Sequence, residues 1–167
     1  RSKKISQVFV STDCPTIKKN ITKYKKVTLL NRPKHLATDR ALGEEVFQNA
    51  YFQMKNIISK QGRKIDLLTL LFANAPAITT KMIDKSILIL KKNKKLDSVV
   101  STSVYNMWSP LRARKLDKNG LLKPFVKFEY FGNPKTLNCD RDSQGDVYFA
   151  DMSLSTIRPK NLENLSK

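Results

Sequence analysis

The sequence predicts an α/β protein: a mostly parallel sheet flanked by helices, with a β-rich insertion at about residues 106–150. Three observations predict it. Short apolar runs rich in β-branched residues alternate with stretches whose apolar residues recur at helical spacing. One run, "IDLLTLLFAN", is apolar almost throughout, as a strand covered on both faces requires. Asn119-Gly120 lies between two apolar stretches, a hairpin signal because glycine tolerates positive φ. Parallel strands joined by helices imply right-handed crossovers.

Each element has its own justification. "QVFVSTD" is a compact β-branched run ending in turn formers, and Pro15 suits the first turn of a helix over about residues 15–24, with Ile17 and Ile21 on one face. "VTLL" forms the second strand. A polar, basic loop follows, and then a helix over about residues 43–60, where Val46, Phe47, Ala50, Tyr51, Met54, Ile57 and Ile58 make one apolar face. Asp39 is expected to cap that helix. The run at residues 65–74 is the third strand. Thr79 or Thr80 caps a helix reaching about residue 93, with Met82, Ile83, Ile87 and Leu90 along it. "SVVSTSVY" is a strand, "DVYFADMSLSTIRP" one or two more, and Pro159 precedes a last helix.

Size and composition set the class. With 167 residues, 40% hydrophobic, the chain suits a single globular domain over residues 1–167. Lys+Arg 32 against Asp+Glu 14 gives a formal charge of +18, which suits an anionic partner: nucleic acid, a phosphorylated metabolite or an acidic surface. Several lysine pairs fall at expected helix ends, where the macrodipole accounts for them. Cys14 and Cys139 have no metal-ligand or disulfide-framework spacing. A cytoplasmic location is expected. No apolar run approaches the roughly 20 residues that span a bilayer.

The polar loops, in order, are similar to a known family. "VFVSTD", "NRPKHLATDRA" opening a long helix, an apolar strand ending "NAP" before a threonine-capped helix, "DSVVSTS", "SPLRARKLDKNGLLKP" and "GDVYFAD" together resemble the acylneuraminate cytidylyltransferases, the CMP-sialic acid synthetases and their relatives for other nonulosonic acids. The resemblance runs from about Ser6 to about Leu165. It implies a nucleotide-diphospho-sugar-transferase-like fold and transfer of a cytidylyl group from CTP to an acidic sugar, with pyrophosphate leaving and Mg²⁺ assisting. It also implies a homodimer, with the β-rich insertion as the expected contact. The family's phosphate-cradling loop precedes its first matching strand and its metal-binding aspartates come late, so this sequence is expected to be a fragment, its metal ligands elsewhere.

The same resemblance assigns roles. Arg32 is the nucleotide-side arginine, where a permanently charged planar fork suits phosphate or ribose oxygens. Asn74, standing where the family has threonine but still offering a donor and an acceptor at a strand end, and Asp13 join it as expected nucleotide contacts; Asp13 could equally cap the helix that starts at Pro15. Arg112 faces an acidic sugar, where a guanidinium can bind a carboxylate bidentately. Tyr148 lines the sugar pocket, and Arg141, beside a family arginine position, is a third substrate contact. Gly43 replaces a family serine, while Phe72 and Ile78 replace a glutamine and an arginine, which leaves the acceptor open. No catalytic residue is assigned. Asp151 alone makes a poor Mg²⁺ site, and His35 reads as an exposed loop residue.

Two other classes remain: a basic nucleic-acid-binding domain, disfavoured because no aromatic-basic motif of the RNP kind is present, and a catalytically inert cytidylyltransferase-like domain serving dimerisation or substrate sensing.

Overall fold

The computed structural model describes residues 2–105, 108–138, 140 and 145–165. The chain divides into two compact units, Arg1–Val100 with Ser153–Lys167, and Ser101–Met152.

In the first unit the β-branched runs become β1 (Val8–Thr12) and β2 (Val27–Asn31), paired in parallel from Val8↔Val27 to Thr12↔Asn31. Between them lies α1 (Pro15–Ile21), with Pro15 at its start. Next come α2 (Gly43–Ser59), β3 (Leu68–Leu71) and α3 (Thr80–Lys92). Two strands run between the units, β4 (Ser98–Val104) and the long β7 (Tyr148–Ile157); α4 (Lys160–Glu163) is a single turn. β7 lies between β3 and β4. It pairs antiparallel with β3, from Leu68↔Ile157 to Leu71↔Leu154.

The α/β class holds, but the parallel character expected of the sheet appears, among the described pairings, only in β1 and β2. β7 comes from the late β-rich part of the chain and returns against β3, so no crossover helix precedes that pairing. β3 is also shorter than the apolar run suggests. Leu71 and Phe72 are exposed, and the Ala75 N–H donates to the Phe72 carbonyl at 3.1 Å, closing a turn where the strand was expected to continue.

The helix caps divide between expectation and correction. Thr79 caps α3, its hydroxyl accepting from the Met82 N–H at 3.3 Å. Asp39 does not cap α2: residues 38–41 close a turn of their own, and the N-cap is Leu42, which has no side-chain cap bond. Glu44 and Glu45 supply negative charge in that first turn instead.

Tyr51, Leu30, Leu90 and Thr156 are the largest fully buried side chains of this unit. Thr156 is polar and 0% exposed, so its hydroxyl needs partners. It lies 2.7 Å from the Ser86 hydroxyl and 3.0 Å from that of Thr69. Ser86 spends its proton on the Ile83 carbonyl at 2.8 Å. Each hydroxyl has one proton, which orders the chain as Thr69 to Thr156 to Ser86 to Ile83. β3, β7 and α3 are thereby joined without an orphaned polar atom.

Two further ties close the unit. Arg158, just after β7, donates from Nε to the Leu96 carbonyl at 2.8 Å and from Nη2 to those of Leu90 at 2.8 Å and Asn93 at 3.1 Å. It thus satisfies carbonyls that the end of α3 leaves open. Tyr51 on α2 donates to Glu163 Oε1 at 2.5 Å, and Lys55 donates to the same oxygen at 2.7 Å. These bonds, from Lys55 first and Tyr51 second, hold the Glu163 carboxyl below its ordinary range. Burial, then Glu163, pushes the Tyr51 hydroxyl up, and Lys55 is raised chiefly by its bond to Glu163.

In the second unit β5 (Arg114–Leu116) and β6 (Leu122–Pro124) form the expected antiparallel hairpin. Gly120 sits at φ +76°, and Asp117 Oδ1 accepts from the Asn119 and Leu121 N–H groups, both at 2.9 Å. Glycine is needed there because a Cβ disfavours the left-handed region. Trp108 packs against Tyr105 and Phe149, with ring centroids 4.9 and 6.2 Å away.

Candidate functional site

Asp13 and Arg32 leave the carboxyl ends of β1 and β2, and the register Thr12↔Asn31 makes them next in line on adjacent parallel strands. In open α/β sheets that edge is where ligands bind. Arg32 is half-buried and partly committed: Nε donates to the Ser11 hydroxyl at 3.3 Å and Nη2 to the Ser11 carbonyl at 2.6 Å. The guanidinium therefore ties the loop after β2 back to β1. Nη1 has no partner among the described residues and remains available as a cationic donor. Asp13 is exposed and makes no ion pair with Arg32.

Asn74 follows the carboxyl end of β3, exposed in the loop before α3. β3 belongs to a different ladder from β1 and β2. Phe72, two residues before Asn74, packs edge-on to Phe47 of α2 at 5.9 Å between centroids. The Asn74 amide has no side-chain partner among the described residues. Asp13, Arg32 and Asn74 are thus three polar strand-end residues of one unit.

The substrate-side candidates lie in the other unit. Arg112 ends a short 3₁₀ turn, Pro110–Arg112, that Ser109 caps by accepting from the Leu111 N–H at 3.2 Å. Tyr148 opens β7 and is 63% exposed, not packed into the unit; its hydroxyl reaches Asp146 Oδ2 at 3.4 Å. Arg141 lies outside the described residues. The same unit holds an open groove of about 580 Å³ lined by Pro124, Lys127, Phe128, Glu129 and Tyr130.

The described residues do not fit a Mg²⁺ site. No three His, Cys, Asp or Glu side chains gather among them. Asp151 is engaged on both oxygens, with Ser101 on Oδ1 and Ser103 on Oδ2 at 3.0 Å. His35 lies exposed in the 3₁₀ turn Lys34–Leu36, as the sequence suggests.

Sequence reasoning missed Gln53 and the part Ser11 plays as the anchor of Arg32. Gln53 clamps the end of β2 through both amide atoms, accepting from the Asn31 N–H at 3.1 Å and donating to the Asn31 carbonyl at 2.8 Å. It lies off the apolar stripe of α2, and no periodicity marks it.

The α/β fold of this chain is similar to that of a solved cytidylyl-sugar synthetase. A solved structure that shows the likeness is that of CMP:2-keto-3-deoxy-manno-octonic acid synthetase complexed with CTP, with a TM-score of 0.59 and 12% sequence identity over 98% of this chain. The chain spans 61% of that protein's length. No family model and no curated protein matches the sequence.

Proposed function

We propose that this chain belongs to a nucleotidyltransferase that moves a cytidylyl group from CTP to an acidic sugar of the nonulosonic type, as in the acylneuraminate cytidylyltransferases. One observation carries the reading: Arg32, with a free guanidinium nitrogen, stands at the carboxyl edge of the parallel pair β1–β2 in a fold shared with a CTP-bound synthetase. Chemistry at phosphorus rests on positioned cations that stabilise developing charge. In this reading Arg32 supplies one such cation, held in place by Ser11, while Asn74 and Asp13 contact ribose or base. Arg112 and Tyr148 serve the acidic acceptor, and Arg141 joins them.

Mg²⁺ is implied by the resemblance and would neutralise charge on the phosphates; the described residues do not supply a ligand set for it. The homodimer is proposed through the β-rich insertion. Its support is the exposure there of Leu116, Leu121, Leu122, Phe125 and Tyr130, each more than half accessible.

The deciding experiment measures pyrophosphate release by the full-length protein with CTP, Mg²⁺ and a panel of acidic sugars. Release that requires both CTP and one acceptor supports the reading. CTP that fails to bind at all overturns it. Arg32→Ala is expected to weaken CTP at least tenfold, about 1.4 kcal/mol; unchanged affinity by titration removes Arg32 from the site.

A further inference from the structure

The positive charge is unevenly spread. Of 32 Lys+Arg and 14 Asp+Glu residues, 24 and 8 fall in the unit Arg1–Val100 with Ser153–Lys167. Within it, two segments carry short basic runs: "KQGRK" at residues 60–64, before β3, and "KKNKK" at residues 91–95, across the end of α3 and the loop to β4. The ion pair Lys91–Asp66, at 3.5 Å, sets these segments side by side. Both lie at the amino ends of their strands, so β3 separates them from Asn74 and the candidate site.

The carboxylates around these segments are already matched. Asp66 takes Lys91, Asp97 takes Lys160 at 2.5 Å, and Glu163 takes Lys55 at 2.7 Å. Lys60, Arg63, Lys64, Lys92, Lys94 and Lys95 are all exposed, and none has a carboxylate partner among the described residues. The α3 macrodipole accounts for Lys92, but not for Lys94 and Lys95 beyond the helix, nor for Arg63 and Lys64. Surplus like charge on one edge costs self-repulsion and contributes nothing to the packing described above. It is relieved by a polyanion.

We propose that this edge, formed by residues 60–64 and 91–95, binds the phosphodiester backbone of a nucleic acid without reading its bases. Closely spaced lysines neutralise successive phosphates and release their counterions. Neither run contains an apolar side chain that would insert into a membrane interface, which favours a nucleic acid over an anionic lipid surface. The inference is independent of cytidylyl transfer, which uses the opposite strand ends.

The test is fluorescence anisotropy with labelled single-stranded RNA and duplex DNA, each about 20 nucleotides long, between about 50 and 200 mM salt. The expected log–log salt slope is about −3 or steeper. Lys64→Glu/Lys94→Glu/Lys95→Glu should lose at least tenfold in affinity and flatten the slope, with unchanged circular dichroism. Lys18→Glu/Lys19→Glu/Lys26→Glu, an equal charge change elsewhere on the unit, should stay within threefold. A preference for RNA or for DNA identifies the source of the phosphates. Absence of binding at low salt, equal loss in both triple variants, or tighter binding to phosphatidylserine vesicles than to either nucleic acid would overturn the proposal.

Discussion

Arg158→Met removes a charge and a donor fork while keeping much of the side chain's length, and its consequence follows from three distances. The bond from Nη2 to the Leu90 carbonyl, at 2.8 Å, is partly buried, and that carbonyl belongs to the last turns of α3. A bond from a charged donor in such a place contributes about 1.5–3 kcal/mol. The bonds to Leu96 at 2.8 Å and Asn93 at 3.1 Å are exposed, and water replaces them at little cost. Loss of a cation at a helix carboxyl end adds about 0.3–1 kcal/mol. The expected destabilisation is therefore about 2–4 kcal/mol, read as a lower urea midpoint at unchanged slope by circular dichroism. Arg158→Lys keeps the charge but cannot reach three carbonyls at once, so it should recover less than half. A loss below about 0.5 kcal/mol in the Met variant would refute the claim that Arg158 closes α3, because surface substitutions away from such features stay within that range.

Other outcomes follow from the same structure. Thr156→Val leaves the Ser86 acceptor and the Thr69 donor unmatched inside the unit and should cost about 1–3 kcal/mol by denaturant melt; a neutral result would mean the hydroxyl chain contributes nothing. Glu163, its carboxyl held below the usual range by Lys55 and then Tyr51, contributes stability that is complete above its unfolded value of about 4.3 and is lost as pH falls through its folded value. The difference in Tm between the wild type and Glu163→Gln should hence be constant near neutrality and shrink in acid; a difference that grows in acid contradicts the assignment. Tyr51 and Lys55, both raised, lose their contributions at the alkaline end instead, as pH rises through their folded values. Gly120→Val forces a β-branched residue to φ +76° and should cost at least about 1 kcal/mol, with the hairpin amide resonances shifting first; retention of stability and hairpin spectra would show that the turn tolerates a Cβ.

The structural likeness and the sequence motifs agree on architecture and divide on detail. The loop order resembles the acylneuraminate branch, whereas the solved neighbour is a synthetase named for 2-keto-3-deoxy-manno-octonic acid. Both names denote acidic sugars activated as CMP derivatives, so the acceptor assay above tests each of them. Phe72 and Ile78, in place of the glutamine and arginine the resemblance expects, lie in the loop between β3 and α3.

What the sequence determined by itself is local. Spacing alone located α2 and α3, because an amphipathic helix writes its buried face into every third or fourth residue. Thr79 and Asn119-Gly120 signalled a cap and a turn that the backbone adopts, since each acts on atoms within a few residues of itself. Tertiary structure decided whatever depends on partners remote in the chain. It gave Arg158 to the end of α3, Thr156 to Ser86, and Arg32 to Ser11, at separations of 68, 70 and 21 residues. It also turned β7 antiparallel to β3 and left Asp39 without a helix to cap. A guanidinium or hydroxyl reads the same in a sequence whether it awaits a ligand or a carbonyl; only packing, which brings the acceptor within 3 Å, distinguishes the two.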